Sequence, residues 1–152
     1  MSPRAPDPAR SAICAMYVGI ALSLGALAIT WLDHATDNVL ASHIRAGYPS
    51  YSQGRIDSAA ATYLAYLCIL AAVAVICWLW AIRVLRRGRR WARAAVTVTF
   101  LLGAVVLLGN LLVRDTSGQT GLPPLLGWVG LSPCLPGLLA VVLVWSIHRP
   151  DR

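Results

Sequence analysis

Between Ala59 and Val113 the chain runs through two long apolar stretches separated by one short basic segment, and this contrast limits the fold more than any other feature. Six of the thirteen arginines fall within the eleven residues from Arg83 to Arg93. On either side the chain is almost free of charge for about twenty residues, and a helix of about 20 residues spans roughly 30 Å, the thickness of a bilayer's hydrocarbon core. Alternating apolar runs and charge clusters of this kind predict membrane-spanning helices.

The rest of the chain fits the same pattern. Ala12 to Leu32 contains no charge over 21 residues, and a fourth apolar run follows Pro124. Only 12% of the residues are charged and 58% are hydrophobic, with a mean hydropathy of +0.67. A soluble domain usually carries about a quarter charged residues, so too little polar surface remains to clothe a globule in water. The reading is an all-α membrane protein: a four-helix antiparallel transmembrane bundle in the cell membrane, with spans at about 12–32, 59–82, 92–113 and 125–147. Residues 1–11 form a Pro-rich disordered tail. An outer loop covers 33–58, a basic cytoplasmic hinge 83–91, a second outer loop 114–124 and a cytoplasmic tail 148–152. A secretory signal peptide competes for the first run, because Ala26-Leu27-Ala28 resembles a cleavage site. The run continues through Ile29, Trp31 and Leu32, which favours a retained helix.

Orientation follows from the arginines. Four alternating spans put the tails and the hinge on one side, which collects Arg4, Arg10, the hinge six, Arg149 and Arg152. The other side holds Arg45, Arg55 and Arg114. The positive-inside rule places both termini in the cytoplasm. The net charge of +7 therefore reads as topology and lipid head-group contact by Arg83, Arg86, Arg87, Arg89 and Arg90, and nucleic acid is not expected as a partner.

Local signals refine the spans. Ser11, Ala15, Gly19 and Ser23 recur every fourth residue, one smooth stripe suited to close helix packing. Thr36 is placed to cap a short amphipathic helix over Asp37–Ala46, with Gly47 as its stop. Val39, Leu40 and Ile44 would then rest on the membrane surface. Asp57 or Ser58 is placed to cap the second span. Tyr63 and Tyr66 at one end of that span, with Trp78 and Trp80 at the other, suggest interfacial belts. Gly88 suits the turn between antiparallel helices. Pro133 and Pro136 predict a kink in the fourth span.

Chemistry has few places to reside. No charged side chain lies in the interior of a span, away from its ends, where one would mark function. Asn110 is the most polar intramembrane group and is expected to make an interhelical hydrogen bond. In the outer loop Asp33, His34, Asp37 and His43 are a candidate site, read as cap and interfacial residues with divalent metal or proton sensing as the alternative. The cysteines Cys14, Cys68, Cys77 and Cys134 are scattered, so neither a disulfide framework nor an exposed redox pair is expected. No nucleophile motif or phosphate-binding loop occurs, and no cofactor is expected. Small multidrug exporters need a membrane Glu, and this chain has no Glu.

One resemblance stands on the middle of the chain. Trp78-Leu79-Trp80, then Arg86-Arg87-Gly88-Arg89-Arg90-Trp91-Ala92-Arg93, then Thr97 and Phe100, resembles a block in uncharacterised small four-span integral membrane proteins of actinobacteria. Asp57-Ser58-Ala59-Ala60 is similar to the entry into their second span. The match covers about twenty-five residues and implies architecture and source, not an activity. The functional expectation is a non-enzymatic structural, accessory or partner-binding subunit, contacting anionic lipids and a membrane-protein partner or further copies of itself. The alternative is a small transporter or channel for an apolar or lipid-like substrate.

Overall fold

The structure, a computed structural model, describes residues 7–114, 118 and 120–147. These form six α-helices: α1 Pro8–Ala35, α2 Val39–Gly47, α3 Gln53–Arg86, α4 Ala92–Leu112, α5 Pro124–Leu131 and α6 Cys134–Ser146. No strand occurs among the described residues; Arg114 and Thr120 form an isolated bridge. Four stretches are long and apolar enough to cross a membrane: α1, α3, α4 and the α5–α6 pair. The tail residues 1–6 and 148–152, with Arg4, His148, Arg149 and Arg152, and the loop residues Asp115, Ser117 and Gln119, lie outside the described residues.

The helices begin and end differently from the sequence expectation, and each difference has a local cause. α1 starts at Pro8, within the segment expected to be a disordered tail. Asp7 caps it by accepting from Ala9 N at 3.0 Å, and Pro8 sits in the first turn, where a missing N–H is harmless. α1 also runs past Leu32 to Ala35. Thr36 caps no new helix: it ends α1, its N–H and hydroxyl both donating to Leu32 O. The N-cap of α2 is Asn38, held left-handed at φ 46° with its side chain accepting from Ala41 N at 3.2 Å. Asn tolerates this conformation better than most residues.

α3 begins at Gln53 behind Ser52, so neither Asp57 nor Ser58 is its cap. Asp57 lies inside the helix and accepts from Gln53 Nε2 at 2.8 Å. At the other end α3 continues through Arg83 to Arg86, which shortens the basic turn to Arg87–Trp91. Gly88 stands there at φ +59°, a left-handed position that glycine enters without a Cβ penalty. The fourth apolar stretch, Pro124–Ser146, is one candidate span interrupted where the prolines predict a kink. α5 stops at Leu131, and α6 restarts behind Pro133 with Pro136 in its first turn. Proline has no N–H to donate, and its ring crowds the carbonyl four residues back, so the ladder breaks at Ser132–Pro133 and resumes with Gly137 N donating to Pro133 O at 3.2 Å; Leu135 N donates to Ser132 O at 3.3 Å.

Packing concentrates at two places. α1 lies against α6 and α3, and α4 against α6, α3 and α5. The larger core joins Ala12, Ala15 and Met16 of α1 to Ala81 and Ile82 of α3, Val96 of α4, and Ala140 and Val144 of α6. Small residues dominate it, as they do where helices approach closely. Trp78, expected at an interfacial belt, packs against this core. Its indole fills the space over Gly19 and reaches Gly137, and Phe100 occupies the rest of the room left at Gly137. Trp80 is exposed, at a ring-centroid distance of 5.8 Å from Trp91.

The second core forms where α2 folds over the start of α3. Leu40 and Ile44 are buried against Ile56, Ala60, Leu122 and Leu126. They therefore do not rest on a membrane surface as expected; only Val39 of the three is exposed. Spaced four apart, Leu40 and Ile44 share one face, and the apolar start of α5 gives that face a partner inside the protein. Tyr48 and Tyr51 stack beside it at 4.7 Å, with the Arg55 guanidinium 5.1 Å above Tyr51.

Candidate functional site

The expected lipid-contact and outer-loop site residues fall into two groups, the arginines around the α3–α4 turn and the residues in and before α2. In the first, the last turn of α3 positions Arg83 and Arg86, and the turn around Gly88 displays Arg87, Arg89 and Arg90. All five are exposed. Cations at a helix C-terminus complement the partial negative charge of its carbonyls, so the sequence favours a basic rim here on local grounds. Arg86 Nη2 donates to the Tyr17 hydroxyl of α1 at 3.4 Å. Arg89 lies 5.7 Å from the Trp91 ring centroid. The rim thus offers five guanidinium groups around one turn, a surface suited to phosphate and carboxylate groups.

Arg93 leaves this rim. Its guanidinium donates to the backbone oxygen of Ile147 at the end of α6 and lies 5.8 Å over the Trp145 ring. Trp145 Nε1 in turn donates to Thr97 Oγ1 at 3.0 Å, and Thr97 donates back to Arg93 O at 2.9 Å. The end of α6 has carbonyls with no partner in their own helix, and an arginine on the neighbouring helix supplies the donor. In the sequence Arg93 belongs to the basic cluster that sets orientation but not to the five arginines expected at lipid head groups. The signal that separates it is its place one residue inside α4, where an unpaired charge would face the apolar span.

In the second group, the four residues of the expected outer-loop site do four separate things. The Asp33 carboxylate accepts from Val39 N at 3.2 Å and Leu40 N at 3.4 Å, an N-terminal cap for α2 supplied from the preceding helix. His43 Nε2 lies 2.6 Å from Thr120 O. A carbonyl only accepts, so this nitrogen carries the proton, and the contact ties α2 to the segment before α5. His34 is half-buried with Nδ1 lacking a partner; Asp37 is exposed. Among the described residues no group of three or more His, Cys, Asp or Glu side chains is placed to hold a metal ion. The four cysteines are free.

The helix stripe and Asn110 have definite places. Ala15, Gly19 and Ser23 are buried, the Ser23 hydroxyl donates to Gly19 O of its own helix at 2.8 Å, and Gly19 leaves the room that the Trp78 indole fills. Asn110 joins helices: Tyr66 Oη of α3 donates to its Oδ1 at 2.8 Å. This pair lines an open cleft of about 590 Å³ between α3, the end of α4 and the start of the α5 segment. Ala59, Thr62, Val113 and Leu122 complete much of its wall. Sequence reading assigns Tyr66 to a belt; its spacing from Asn110 across two helices is invisible before the helices are paired.

No family model, curated protein or solved structure matches the chain.

Proposed function

We propose that the chain is a multi-pass protein of the cell membrane, an antiparallel four-helix bundle with both termini and the arginine rim in the cytoplasm, and that it acts there as a non-enzymatic structural, accessory or partner-binding subunit. The carrying observation is the outward surface of the long helices. Ile69, Val73 and Ile76 on α3, Leu101, Leu102 and Val105 on α4, and Leu135, Leu138 and Val142 on α6 are all more than half exposed. Apolar surface in water is unfavourable by roughly 25 cal/mol per Å², and soluble monomers rarely expose a contiguous apolar patch beyond a few hundred Å². A bilayer removes the penalty. The rim then meets the anionic cytoplasmic leaflet, where each arginine contributes about 1 kcal/mol, and the face of α2 bearing Ser42 and Arg45 is left at the outer surface for a partner protein.

Two measurements test this. Cysteines introduced as Gly88→Cys and Ser50→Cys are labelled from outside intact cells by a membrane-impermeant maleimide; the reading requires modification at position 50 alone, and labelling at position 88 refutes the orientation. Replacing Arg83, Arg86, Arg87, Arg89 and Arg90 with Gln should sharply weaken binding of the purified protein to phosphatidylglycerol nanodiscs. Unchanged binding removes the lipid-contact role.

The break between α5 and α6 favours a second reading, a small transporter of an apolar or lipid-like substrate, because two half-helices hinged at Ser132–Pro133 can move separately. Lipid scrambling in proteoliposomes discriminates the two readings.

A further inference from the structure

We infer that the cleft between α3 and α4 is a binding site for an uncharged amphiphile, an apolar body carrying an ester or ketone carbonyl, which enters sideways from the outer leaflet. The inference rests on the membrane-spanning reading above and adds a ligand class and a place.

Three observations carry it. The first is chemical. Among the described residues no Asp, Glu, Arg or His lines the cleft, so a charged head group entering it would lose water without gaining a counter-charge from them, which is costly in a low-dielectric site. The second is the hydrogen-bonding inventory. Thr62 Oγ1 donates to Ser58 O of its own helix at 2.9 Å, and Val113 O accepts from Gly121 N at 3.1 Å, so neither asks for a ligand. Asn110 differs. Its oxygen accepts from Tyr66 at 2.8 Å, which fixes the amide so that the two N–H donors of its nitrogen are the donors the pair offers. Among the described residues no partner takes them. A site that presents N–H donors and no charge selects a neutral acceptor, and a carbonyl is the neutral acceptor that lipids carry at the depth of a helix end.

The third observation is access. Thr62, Tyr66 and Val113 are exposed at the mouth, while Leu122 is buried at the wall. The mouth opens between helices whose neighbouring faces are apolar, so the route in is lateral. The volume, about 590 Å³, falls within the range of roughly 300–1,000 Å³ of pockets that hold one small ligand. Asn110 lies in the last turn of α4, so a carbonyl bonded there leaves an attached chain free to run along the apolar surface of α3 and α4. Ester lipids and quinones share this chemistry.

The test is photolabelling of the whole protein in nanodiscs with three diazirine-tailed probes: a diacylglycerol, a long-chain alkyl naphthoquinone and phosphatidylglycerol. Either neutral probe should label peptides containing Tyr66 and Asn110, and their relative yields tell an ester lipid from a quinone. Asn110→Leu and the conservative Tyr66→Phe should each weaken half-maximal labelling about two- to tenfold, the range of one neutral hydrogen bond. Thr62→Trp, at an exposed position, should block the mouth and abolish labelling there. Neutral labelling that ignores all three cleft variants overturns the inference, as does phosphatidylglycerol labelling the cleft equally well. If carbonate washing strips the protein from membranes, the membrane-spanning reading falls; a protein that stays inserted but shows no cleft labelling overturns this inference alone.

Discussion

Adding one methyl group at Gly19 sets two effects of similar size against each other. Alanine in a helix interior is favoured over glycine by up to about 1 kcal/mol, because glycine loses more backbone freedom on folding. A Cβ at Gly19, however, would lie 2.5 Å from Trp78 Cζ2, 2.7 Å from Cε2 and 2.8 Å from Cη2. These atoms belong to a rigid ring, and the same ring sits 3.4 Å from the Cβ position of Gly137 on α6. The indole therefore cannot step away from α1 without closing on α6. Overpacking of this kind costs about 1–3 kcal/mol, and the absence of an escape route puts Gly19 in the upper half of that range. After the propensity gain, Gly19→Ala should destabilise the protein by about 1–2 kcal/mol. Gly25 provides the control: on the same helix, a Cβ there meets nothing within 4 Å, so Gly25→Ala should be neutral or stabilising by up to about 1 kcal/mol. Unfolding by dodecyl sulfate in mixed micelles, followed by far-UV ellipticity, measures both. If Gly19→Ala proves as stable as Gly25→Ala, the wedge of Trp78 between α1 and α6 is wrong.

Two further outcomes follow from the ends of the helices. Arg93→Gln removes a charged donor from the end of α6 and the cover over Trp145, and should lower unfolding stability by about 1–2 kcal/mol, while Arg90→Gln on the exposed rim should stay within about 0.5 kcal/mol of wild type; equal losses would return Arg93 to the rim. Asp33→Ala removes the borrowed cap of α2 at a cost of about 1 kcal/mol, so the amides of Val39 and Leu40 should exchange hydrogen several-fold faster, and unchanged protection at both would refute the capping role.

The arginine rim shows what could be read without a structure. Charge and hydropathy act through solvent rather than through particular contacts. The apolar runs, the cluster from Arg83 to Arg90 and the reversal at Gly88 are legible because each states a local preference. The end points of α4 were legible for the same reason, a charged or aromatic residue on one side and a turn on the other. Cap positions were harder. Thr36, Asp37 and Asn38 all suit a helix start, and the choice of Asn38 depends on Asp33 reaching forward from α1 to take the Val39 and Leu40 amides. α2 illustrates the same limit for apolar faces: its amphipathic pattern is as consistent with a membrane surface as with a protein core. Only the arrival of Leu122 and Leu126 selects the core.

The candidate sites divide along the same line. Exposed arginines on one turn require no tertiary partner, so their places follow from the chain order. Asp33, His34, Asp37 and His43 read in the sequence as cap and interfacial residues, with a metal or proton site as the alternative; only folding shows which helix Asp33 caps, by taking the α2 amides, and that His43 meets Thr120. Sequence by itself determined that this chain has four stretches long and apolar enough to cross a membrane and one strongly basic turn, because those properties sum over residues along a single helix. Tertiary structure alone decided that Trp78 belongs to the core, that Arg93 closes another helix, and that Tyr66 meets Asn110. Each of those depends on the rotation of one helix about its axis relative to another, and packing of specific side chains, not hydropathy, sets that rotation.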